Sequence, residues 1–419
     1  MNAVGIDVSK GKSTVAVIQP FGVVIAEPFD VSHTESDLNK LVQLIKSLSG
    51  ETKVVMEYTG AYYEPIANAL HNQGIFVSVV NPLLIDDYGT KRVRKVKTDK
   101  KDSLKIASFA IDKWLDLREY IPANDIRKTL KILNRQYVQY NKILVMQKNN
   151  LISLLDSCFP NANTLFTSPR RESDGHEKWV DFVLKFPHIH SISKLSLSAF
   201  KVKYQSWCRK NNYNYSDKKV ADIHSYCKTQ ISVLPMTDSV IKIITEAAVM
   251  LNSTLETLCT FRDEMDRLSS TLPEYNAVMG IYGVGKVLCS QLIAEIGDVR
   301  KLNNSKSLVA MAGIDPPPNQ SGKVDTKSRS ISKRGSPVLR KTLFQIMTII
   351  IQNKPVDDPV YQFLNKKRSE GKPYRVYMIA AAHKFLRIYY ARVMQALNLS
   401  LNKYFLIRLL QKKDFDAVF

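Results

Sequence analysis

The sequence predicts a mixed α/β domain at the N-terminus followed by a mostly helical remainder. Short apolar runs typical of β-strands fill most of the first 80 residues and alternate there with amphipathic helical patterns. Two long stretches with near-heptad apolar spacing then occupy the middle of the chain. At 419 residues the chain is long enough for two or three domains.

The N-terminal strands follow a recognisable order. A helix opened by Thr34 comes between the third and fourth strands, and the helix EPIANALHNQG comes between the fourth and fifth. Five strands are predicted, in the order AVGIDV, TVAVIQP, GVVIAEPF, KVVMEYTG and IFVSVVNP. A three-stranded meander followed by alternating helix and strand is the order of a ribonuclease-H-like sheet. In such a sheet, strand 1 lies centrally with the fourth strand beside it.

Four carboxylates fall where this sheet would bring them together. Asp7 lies in strand 1 and Glu57 in the fourth strand, while Asp99 and Asp102 open a helix expected to pack across the same edge. Two unit charges about 4 Å apart repel by roughly 4 kcal/mol at an effective dielectric near 20, so the set is costly without a cation. Oxygen ligands favour Mg²⁺ or Mn²⁺, and such ions can polarise a phosphodiester. Asp7 alone could be a polar strand residue, but the ordered set predicts a metal site.

A basic run precedes the last two acids, and its Lys and Arg residues are expected to contact nucleic acid: Lys91, Arg92, Arg94, Lys95 and Lys97. The whole chain carries a formal charge of +21 and a pI near 9.6, which favours a polyanionic partner. Nucleic acid fits better than a membrane, because no apolar run reaches the roughly 20 residues of a spanning helix. A solvated basic surface is the alternative for the run by itself.

The five cysteines are scattered and never spaced C-x-x-C, which argues against a disulfide framework and a thiolate zinc site. The N-terminus lacks the pattern of a secretory signal, so a cytoplasmic, reducing location is expected. His188 and His190 are weak candidates for a metal site, because no Cys or carboxylate lies at ligand spacing.

The middle of the chain, residues 119–268, is expected to form a helical coiled-coil region. Apolar residues recur from Ile126 to Leu154 and again from Ile244 to Met265, so the two helices could pair within one chain or between protomers. An insertion at about 161–235 separates them. Its aromatic residues, Trp207 among them, could stack on single-stranded bases or could form the core of an ordinary small helical insertion.

The remainder, residues 269–419, is expected to form a mostly helical C-terminal domain. Gly283 and Gly285 join two short helical patterns, which predicts a helix-hairpin-helix. The glycines would let backbone N–H groups approach a phosphate, and Lys286 adds charge, so the contact is independent of base sequence. A plain helical hairpin is the alternative.

Three prolines after Asp315 lead to Gln320-Ser321-Gly322, which predicts that Ser321 is presented on a stiff loop. Lys323, Lys333 and Arg334 follow, as a phosphate-bearing substrate would require. A serine ester would conserve the phosphodiester, whereas attack by water would discard it. Ser321 is therefore predicted to be a nucleophile, and the alternative is a turn residue that hydrogen-bonds a phosphate.

The motifs GIDVSK, EYTG at Glu57 and KTDKKD ending at Asp102 resemble the DEDD transposases of the insertion-sequence-110 family. AGIDP, the QSG downstream and SKRGSPVLRKTL resemble the second transposase domain of that family. Tyr58 departs from the pattern, since many relatives have a small residue there. The resemblance implies a RuvC-like domain at 1–118 whose tetrad Asp7, Glu57, Asp99 and Asp102 binds metal.

The same resemblance implies a serine that attacks DNA, a structured guide RNA encoded by the element, and assembly through the coiled-coil region. The predicted function is therefore a DNA transposase or recombinase that acts on donor and target DNA as a homo-oligomer. A Holliday-junction resolvase or other metal-dependent nuclease would use the acids and water, but would leave the serine loop unexplained. A non-catalytic nucleic-acid scaffold would leave the four acids unexplained.

Overall fold

The computed structural model describes residues 1–58, 60–88, 98–122, 124–317, 320–321, 324–325 and 330–416, with the backbone alone at 320–321, 324–325 and 400–416. Contacts divide the chain into two compact units, Met1–Ala123 and Asn124–Phe419. The further division at residue 268 stays a prediction.

The first unit is built from a sheet and helices. Its strands are β1 (Asn2–Val8), β2 (Lys12–Gln19), β3 (Val23–Ser32), β4 (Thr52–Glu57) and β5 (Val77–Val80). Its described helices are α1 (Glu35–Ser47), α2 (Glu64–Asn72), α3 (Pro82–Tyr88) and α4 (Asp99–Asp112), and a 3-10 turn spans Pro20–Gly22.

The strand order in this sheet is β3-β2-β1-β4-β5. β1 pairs antiparallel with β2 and parallel with β4, and β4 pairs parallel with β5. The central position of β1 and the place of β4 beside it confirm the order predicted from the sequence. Helices α1 and α2 contribute to an apolar cluster with Val4 and Ile6, whereas α4 contributes to a second cluster with Ala3 and Val55. Because neighbouring residues of a strand face opposite sides, the two clusters lie on opposite faces of the sheet.

Helix α4 packs directly on β1 at Gly5. The backbone carbonyl of Ser103 and the backbone amide of Ala107 occupy the space that a Cβ on residue 5 would fill. Ser103, Ile106 and Ala107 are fully buried at this contact. A residue without a side chain is therefore required for the close approach of α4 to the strand that carries Asp7.

The second unit is mostly helical. Its helices are α5 (Asp125–Asp156), α6 (Lys178–Lys185), α7 (His190–Ser193), α8 (Leu197–Lys210), α9 (Asp217–Thr229), α10 (Asp238–Ser270), α11 (Tyr275–Met279), α12 (Lys286–Ile296), α13 (Ser305–Ala312), α14 (Pro337–Asn353), α15 (Pro359–Ser369) and α16 (Tyr374–Asp416). It also contains 3-10 turns at Ala162–Thr164 and Val299–Lys301, and two short strands, β6 (Gln320–Ser321) and β7 (Val324–Asp325).

The two long helices α5 and α10 pair within the chain. Leu155, at the end of α5, shares an apolar cluster with Ile244 at the start of α10, whereas Leu130 near the start of α5 clusters with Met265 near the end of α10. The pair is therefore antiparallel. The spacing allowed pairing within one chain or between protomers, and the structure has the pairing within one chain. A coiled coil used in assembly stays a prediction.

The insertion between these helices has its own aromatic core. Trp207 is only 5% exposed and its Nε1 donates to the backbone carbonyl of Asp181 at 3.2 Å. Phe182, Phe200 and Tyr204 are also buried there. The Trp207 ring therefore stabilises a small helical insertion and is not available for stacking on bases.

All five cysteines are free and buried, in agreement with their spacing. Among the described residues, none of the helices has the length and apolarity needed to cross a membrane.

Candidate active site

Two of the predicted acids lie side by side on the parallel strands β1 and β4. Ile6 of β1 is paired with Met56 of β4, so Asp7 and Glu57 are the next residues along the two strands. Each follows a residue of the α4 face by two positions, Gly5 and Val55, so both acids belong to that face of the sheet.

Helix α4 brings the other two acids. Thr98 caps the helix, because its hydroxyl accepts a hydrogen bond from the Lys101 amide, and the first turn carries Asp99 and Asp102. Acids are favourable there because the N-terminus of a helix carries partial positive charge. Asp102 directly precedes Ser103, the residue in contact with Gly5, so the packing of α4 on β1 places Asp102 near the sheet edge.

The electrostatics show that three of these acids lie close together. Burial raises the pKa of Glu57, and the negative charges of Asp7, Asp86 and Asp102 raise it further. Lys105 opposes the shift, and its Nζ lies 3.9 Å from a carboxylate oxygen of Asp86.

Asp86 was not singled out in the sequence. It lies in α3, which begins two residues after β5 ends, at the carboxyl end of a strand that is parallel to β4. The adjacent acids Asp86 and Asp87 after a buried strand were the signal available.

The donor set suits a hard divalent cation. Glu57 is partly buried among carboxylates and all the candidate ligand atoms are oxygens, which is the ligation that Mg²⁺ and Mn²⁺ prefer. Within the described ranges, no group of three or more His, Cys, Asp or Glu side chains is already arranged to hold a metal ion. A metal role for the tetrad Asp7, Glu57, Asp99 and Asp102 therefore stays a prediction, which the oxygen chemistry of the four side chains supports.

The basic run that precedes these acids, Lys91, Arg92, Arg94, Lys95 and Lys97, lies outside the described residues. Lys323, next to the predicted nucleophile, lies outside them as well.

Ser321 is the last residue of β6. This strand pairs antiparallel with β7, with Ser321 opposite Val324. The sequence predicted a stiff loop at this position, and the backbone of Ser321 lies in a short hairpin.

The chain on either side of this hairpin forms a stem, residues 311–315 and 332–336. The Ser332 amide donates to the Asp315 carbonyl at 2.8 Å, and the Lys333 amide donates to the Gly313 carbonyl at 3.0 Å. The Ser332 hydroxyl also donates to a carboxylate oxygen of Asp315 at 2.6 Å. Gly313 has a φ of +63°, and a Cβ there would clash with the amide of Gly335.

The stem is tied to the helices around it. The Arg340 guanidinium in α14 donates to the Ala312 carbonyl at 2.8 Å, and His383 in α16 lies with Nε2 3.1 Å from the Ile314 carbonyl. Lys333 and Arg334, which were predicted to contact nucleic acid, are exposed on this stem. The segment that carries Ser321 is therefore held firmly at its base.

A buried carboxylate, Glu295 of α12, connects the stem to α5. It accepts hydrogen bonds from the Ser336 hydroxyl at 2.8 Å, from the Asn134 amide at 2.9 Å and from the Arg135 guanidinium at 2.8 Å. Ser336 in turn caps α14 by accepting from the Leu339 amide. Sequence reasoning missed Glu295, since its partners lie up to 161 residues away.

The predicted helix-hairpin-helix corresponds to α11, a turn at Gly283 to Gly285, and α12. Gly285 and Lys286 are exposed at the start of α12, and Lys286 Nζ lies 3.5 Å from an Asp266 carboxylate oxygen. Gly283 packs against Ile346 and so contributes to the core. Phosphate binding at this turn stays a prediction.

His188 is buried and has both ring nitrogens engaged. Nε2 lies 3.0 Å from the Leu234 carbonyl, and Nδ1 accepts from the His190 amide. These bonds give His188 a structural role.

Two family models match the chain. A transposase model named for the DEDD acids of IS110 elements matches residues 4–160, and a model described as "Transposase IS116/IS110/IS902 family" matches residues 275–362. The first match contains the acidic edge and the second contains the serine hairpin with its stem.

Similar proteins occur in two species of Moraxella. The pilin gene-inverting protein of Moraxella lacunata is 23% identical over 343 residues, which cover 82% of this chain and 80% of the relative. Its counterpart in Moraxella bovis is 22% identical over the same shares.

Among solved structures, T. thermophilus RuvC in complex with a Holliday junction substrate aligns with 29% of this chain and 99% of its own, at 12% identity and a TM-score of 0.23. A second structure, of Thermus thermophilus RuvC, aligns at 13% identity and a TM-score of 0.22, over 29% of this chain and all of its own. These values are too low to define the fold, which the strand order defines.

Both family models describe transposases, so that is the class of protein to which the two regions point. The chain belongs to the IS110 family of transposases. Transposases act on DNA, and DNA is the partner that this membership supports.

Proposed function

We propose that this transposase cuts and rejoins DNA strands by phosphoryl transfer, using the acidic edge of the first unit and Ser321 of the second. The observation that carries the proposal is the convergence of Asp7, Glu57 and Asp102 where α4 packs on β1, with Glu57 partly buried among like charges. Acids kept together at such a cost indicate a cation-dependent function.

Asp7, Glu57, Asp99 and Asp102 would hold Mg²⁺ or Mn²⁺. A divalent cation bound there would supply positive charge against the oxygens of the scissile phosphodiester. Gly5 keeps α4 close to β1, and the cap of Thr98 fixes the turn that carries two of the acids. These residues therefore position the carboxylates before any ligand binds.

Ser321 would be the nucleophile. Its hydroxyl oxygen forms a new bond to phosphorus, the bond from phosphorus to a sugar oxygen of one strand breaks, and that oxygen gains a proton as the serine loses one. The number of phosphodiester bonds is unchanged, so the reverse reaction can join a new strand without ATP. Lys333 and Arg334 on the stem would stabilise the negative charge that develops on the phosphate.

The Moraxella relatives favour joining over simple hydrolysis. By its name, that protein inverts a pilin gene. An inversion requires that every cut end be rejoined, and a serine ester conserves the bond that rejoining needs. We infer that this chain carries out a reaction of the same class, on a donor and a target DNA.

We also propose a structured guide RNA and a homo-oligomer as partners, on the strength of the family. The charge of +21 suits RNA and DNA alike. Recovering and sequencing the nucleic acid that copurifies with the protein tests the guide directly.

The test of the mechanism uses labelled DNA with Mg²⁺ and compares Ser321→Ala with Ser330→Ala. Ser330 is an exposed serine nine residues downstream, so its variant controls for the loss of a hydroxyl in the same segment. We expect joined products from the wild type and from Ser330→Ala, and none from Ser321→Ala. Cut but unjoined DNA from Ser321→Ala would favour a water-using nuclease, and unchanged DNA with the wild type would favour a binding scaffold.

A further inference from the structure

Two lysines of the insertion lie against the same aromatic ring. Lys178 Nζ lies 5.1 Å from the centroid of Phe166, and Lys219 Nζ lies 5.6 Å from it. Lys178 Nζ also lies 5.0 Å from the centroid of Tyr213 and 5.9 Å from that of Trp207. Aromatic faces attract ammonium groups but do not neutralise them. The rings therefore hold two positive charges near each other.

The acid next to Lys178 along the chain is engaged elsewhere. Glu177 accepts from Lys148 at 2.7 Å, from Arg170 at 2.9 Å and from Trp179 at 2.6 Å. With these three donors, the Glu177 carboxylate is already satisfied and is not the counterion of Lys178.

The acid nearest to Lys219 along the chain is engaged as well. Asp217 pairs with Lys201 at 2.5 Å and accepts from the Tyr215 hydroxyl at 2.6 Å. Within the described part of the chain, no carboxylate lies within 4.0 Å of the ammonium group of Lys178 or Lys219. Among the residues that the structure describes, the two charges thus lack a counterion.

Both lysines also lie at helix N-termini. Lys178 is the first residue of α6 and Lys219 is the third residue of α9. A helix N-terminus carries partial positive charge, so a lysine there opposes the helix dipole and costs stability. Burial lowers the pKa of Lys178, and the charge of Lys219 lowers it further. The two ammonium groups beside the same rings repel each other, so an anion bound between them would relieve that repulsion.

We propose that Lys178 and Lys219 bind a phosphate of a nucleic-acid backbone on the insertion. Lys178 donates one hydrogen bond to the Asn214 carbonyl at 3.2 Å, which leaves two of its three protons for a ligand. Both lysines are partly exposed, so the site is open to a polymer. The inference rests on the proposed function, because that function makes nucleic acid the anion.

The chemistry recognised is a phosphodiester, which DNA and RNA share. Neither the lysines nor the helix N-termini read bases, so the contact would be independent of sequence. This site differs from the serine stem and from the acidic edge, and it gives the insertion a binding role that its aromatic core does not supply.

The test measures binding of the full chain to labelled single-stranded RNA, single-stranded DNA and duplex DNA over a range of salt concentrations. The variants are Lys178→Gln, Lys219→Gln and the double variant. Lys185→Gln is the matched control, because Lys185 is exposed at the other end of α6 and undergoes the same change.

We expect the double variant to lose affinity on the order of tenfold for the nucleic acid that binds here. Its log–log salt slope should fall by about 0.7 with single strands or about 0.9 with a duplex, the value for one lost phosphate contact. Lys185→Gln should show neither change. The nucleic acid whose affinity for the double variant falls most is the one that supplies the phosphate.

A double variant that binds every polymer like Lys185→Gln would overturn the site, and so would a loss of equal size in Lys185→Gln. If the wild type binds no nucleic acid, the proposed function fails as well, which separates the two outcomes. A second measurement covers a Lys178→Gln variant that does not fold. Inorganic phosphate should raise the melting temperature of the wild type more than that of Lys219→Gln, and equal shifts would contradict the proposal.

Discussion

Two partly or fully buried glutamates, Glu57 and Glu295, show how differently the protein treats the same side chain. Glu295 is surrounded by donors from Asn134, Arg135 and Ser336, and each of its oxygens accepts a hydrogen bond. Burial raises the pKa of Glu57, and the negative charges of the acids near it, Asp7, Asp86 and Asp102, raise it further. A buried carboxylate with donors stabilises the fold, whereas a carboxylate kept among acids destabilises it until a cation binds.

The acidic edge and the serine hairpin, the two parts of the proposed active site, are held in place in different ways. At the acidic edge, positions are fixed by regular elements, the parallel pair of β1 and β4 and the first turn of α4. At the serine hairpin, positions are fixed by a stem whose anchors come from distant helices. Substitutions at the edge should therefore change activity more than stability, and substitutions at the stem should change both.

The largest effect is expected from Asp102→Ala. It removes one proposed ligand, and we expect the rate of strand cleavage to fall about 10³-fold or more, because several kcal/mol of transition-state stabilisation are lost. Binding of DNA and thermal stability should stay close to wild type. Asp116→Ala, which removes an exposed acid of the same unit, is the control. Cleavage that persists in Asp102→Ala, or in the wild type with EDTA, would contradict a metal role for the edge.

Glu295→Ala should produce the next largest effect, which is a loss of stability and not primarily a loss of cleavage rate. It leaves three donors without their acceptor, so we expect a loss of about 2–4 kcal/mol in the free energy of unfolding. Glu295→Gln retains an acceptor oxygen and should cost about 1 kcal/mol. Urea unfolding, with amide exchange followed in α14, measures both. Equal and small losses in the two variants would show that Glu295 does not anchor the stem.

Glu57→Gln should have the smallest effect on stability, and a favourable one in metal-free protein. A carboxyl whose folded pKa is raised binds its proton more tightly in the folded state. The contribution of Glu57 to the free energy of unfolding therefore falls as pH rises from the ordinary pKa of 4.5 through the raised pKa of the folded state.

Glutamine does not ionise, so replacing Glu57 by glutamine removes this loss of stability at neutral pH. We expect the melting temperature at neutral pH to rise by about 1 °C, the scale of about 1 kcal/mol in a chain of this size. Added Mg²⁺ should then stabilise the wild type more than the variant. A variant that melts lower than wild type without metal, at every pH, would show that the acids do not repel one another.

The sequence was most informative where function lies on regular elements. The positions of Asp7 and Glu57 followed from strand order, and the place of Asp99 and Asp102 in the first turn of α4 followed from the helical pattern after them. Asp86 was missed because α3 is a short helix with little periodic pattern to reveal it.

Contacts between residues far apart in the chain could not be predicted. The three prolines indicated a non-helical approach to Ser321, but neither Glu295 nor the close approach of Gly313 to Gly335 leaves a local pattern. The aromatic residues of the insertion showed the same difficulty, because composition does not tell a stacking surface from a core. Burial of Trp207 decided that question.

The most direct test of the account is to locate the covalent bond between protein and DNA. Wild-type protein is incubated with donor DNA and Mg²⁺, the reaction is stopped with denaturant, and the trapped complex is digested with protease and nuclease for mass spectrometry. We expect a nucleotide remnant on Ser321, and no adduct when Asp102→Ala is used. A remnant on another residue, or cut DNA from the wild type with no adduct, would contradict it.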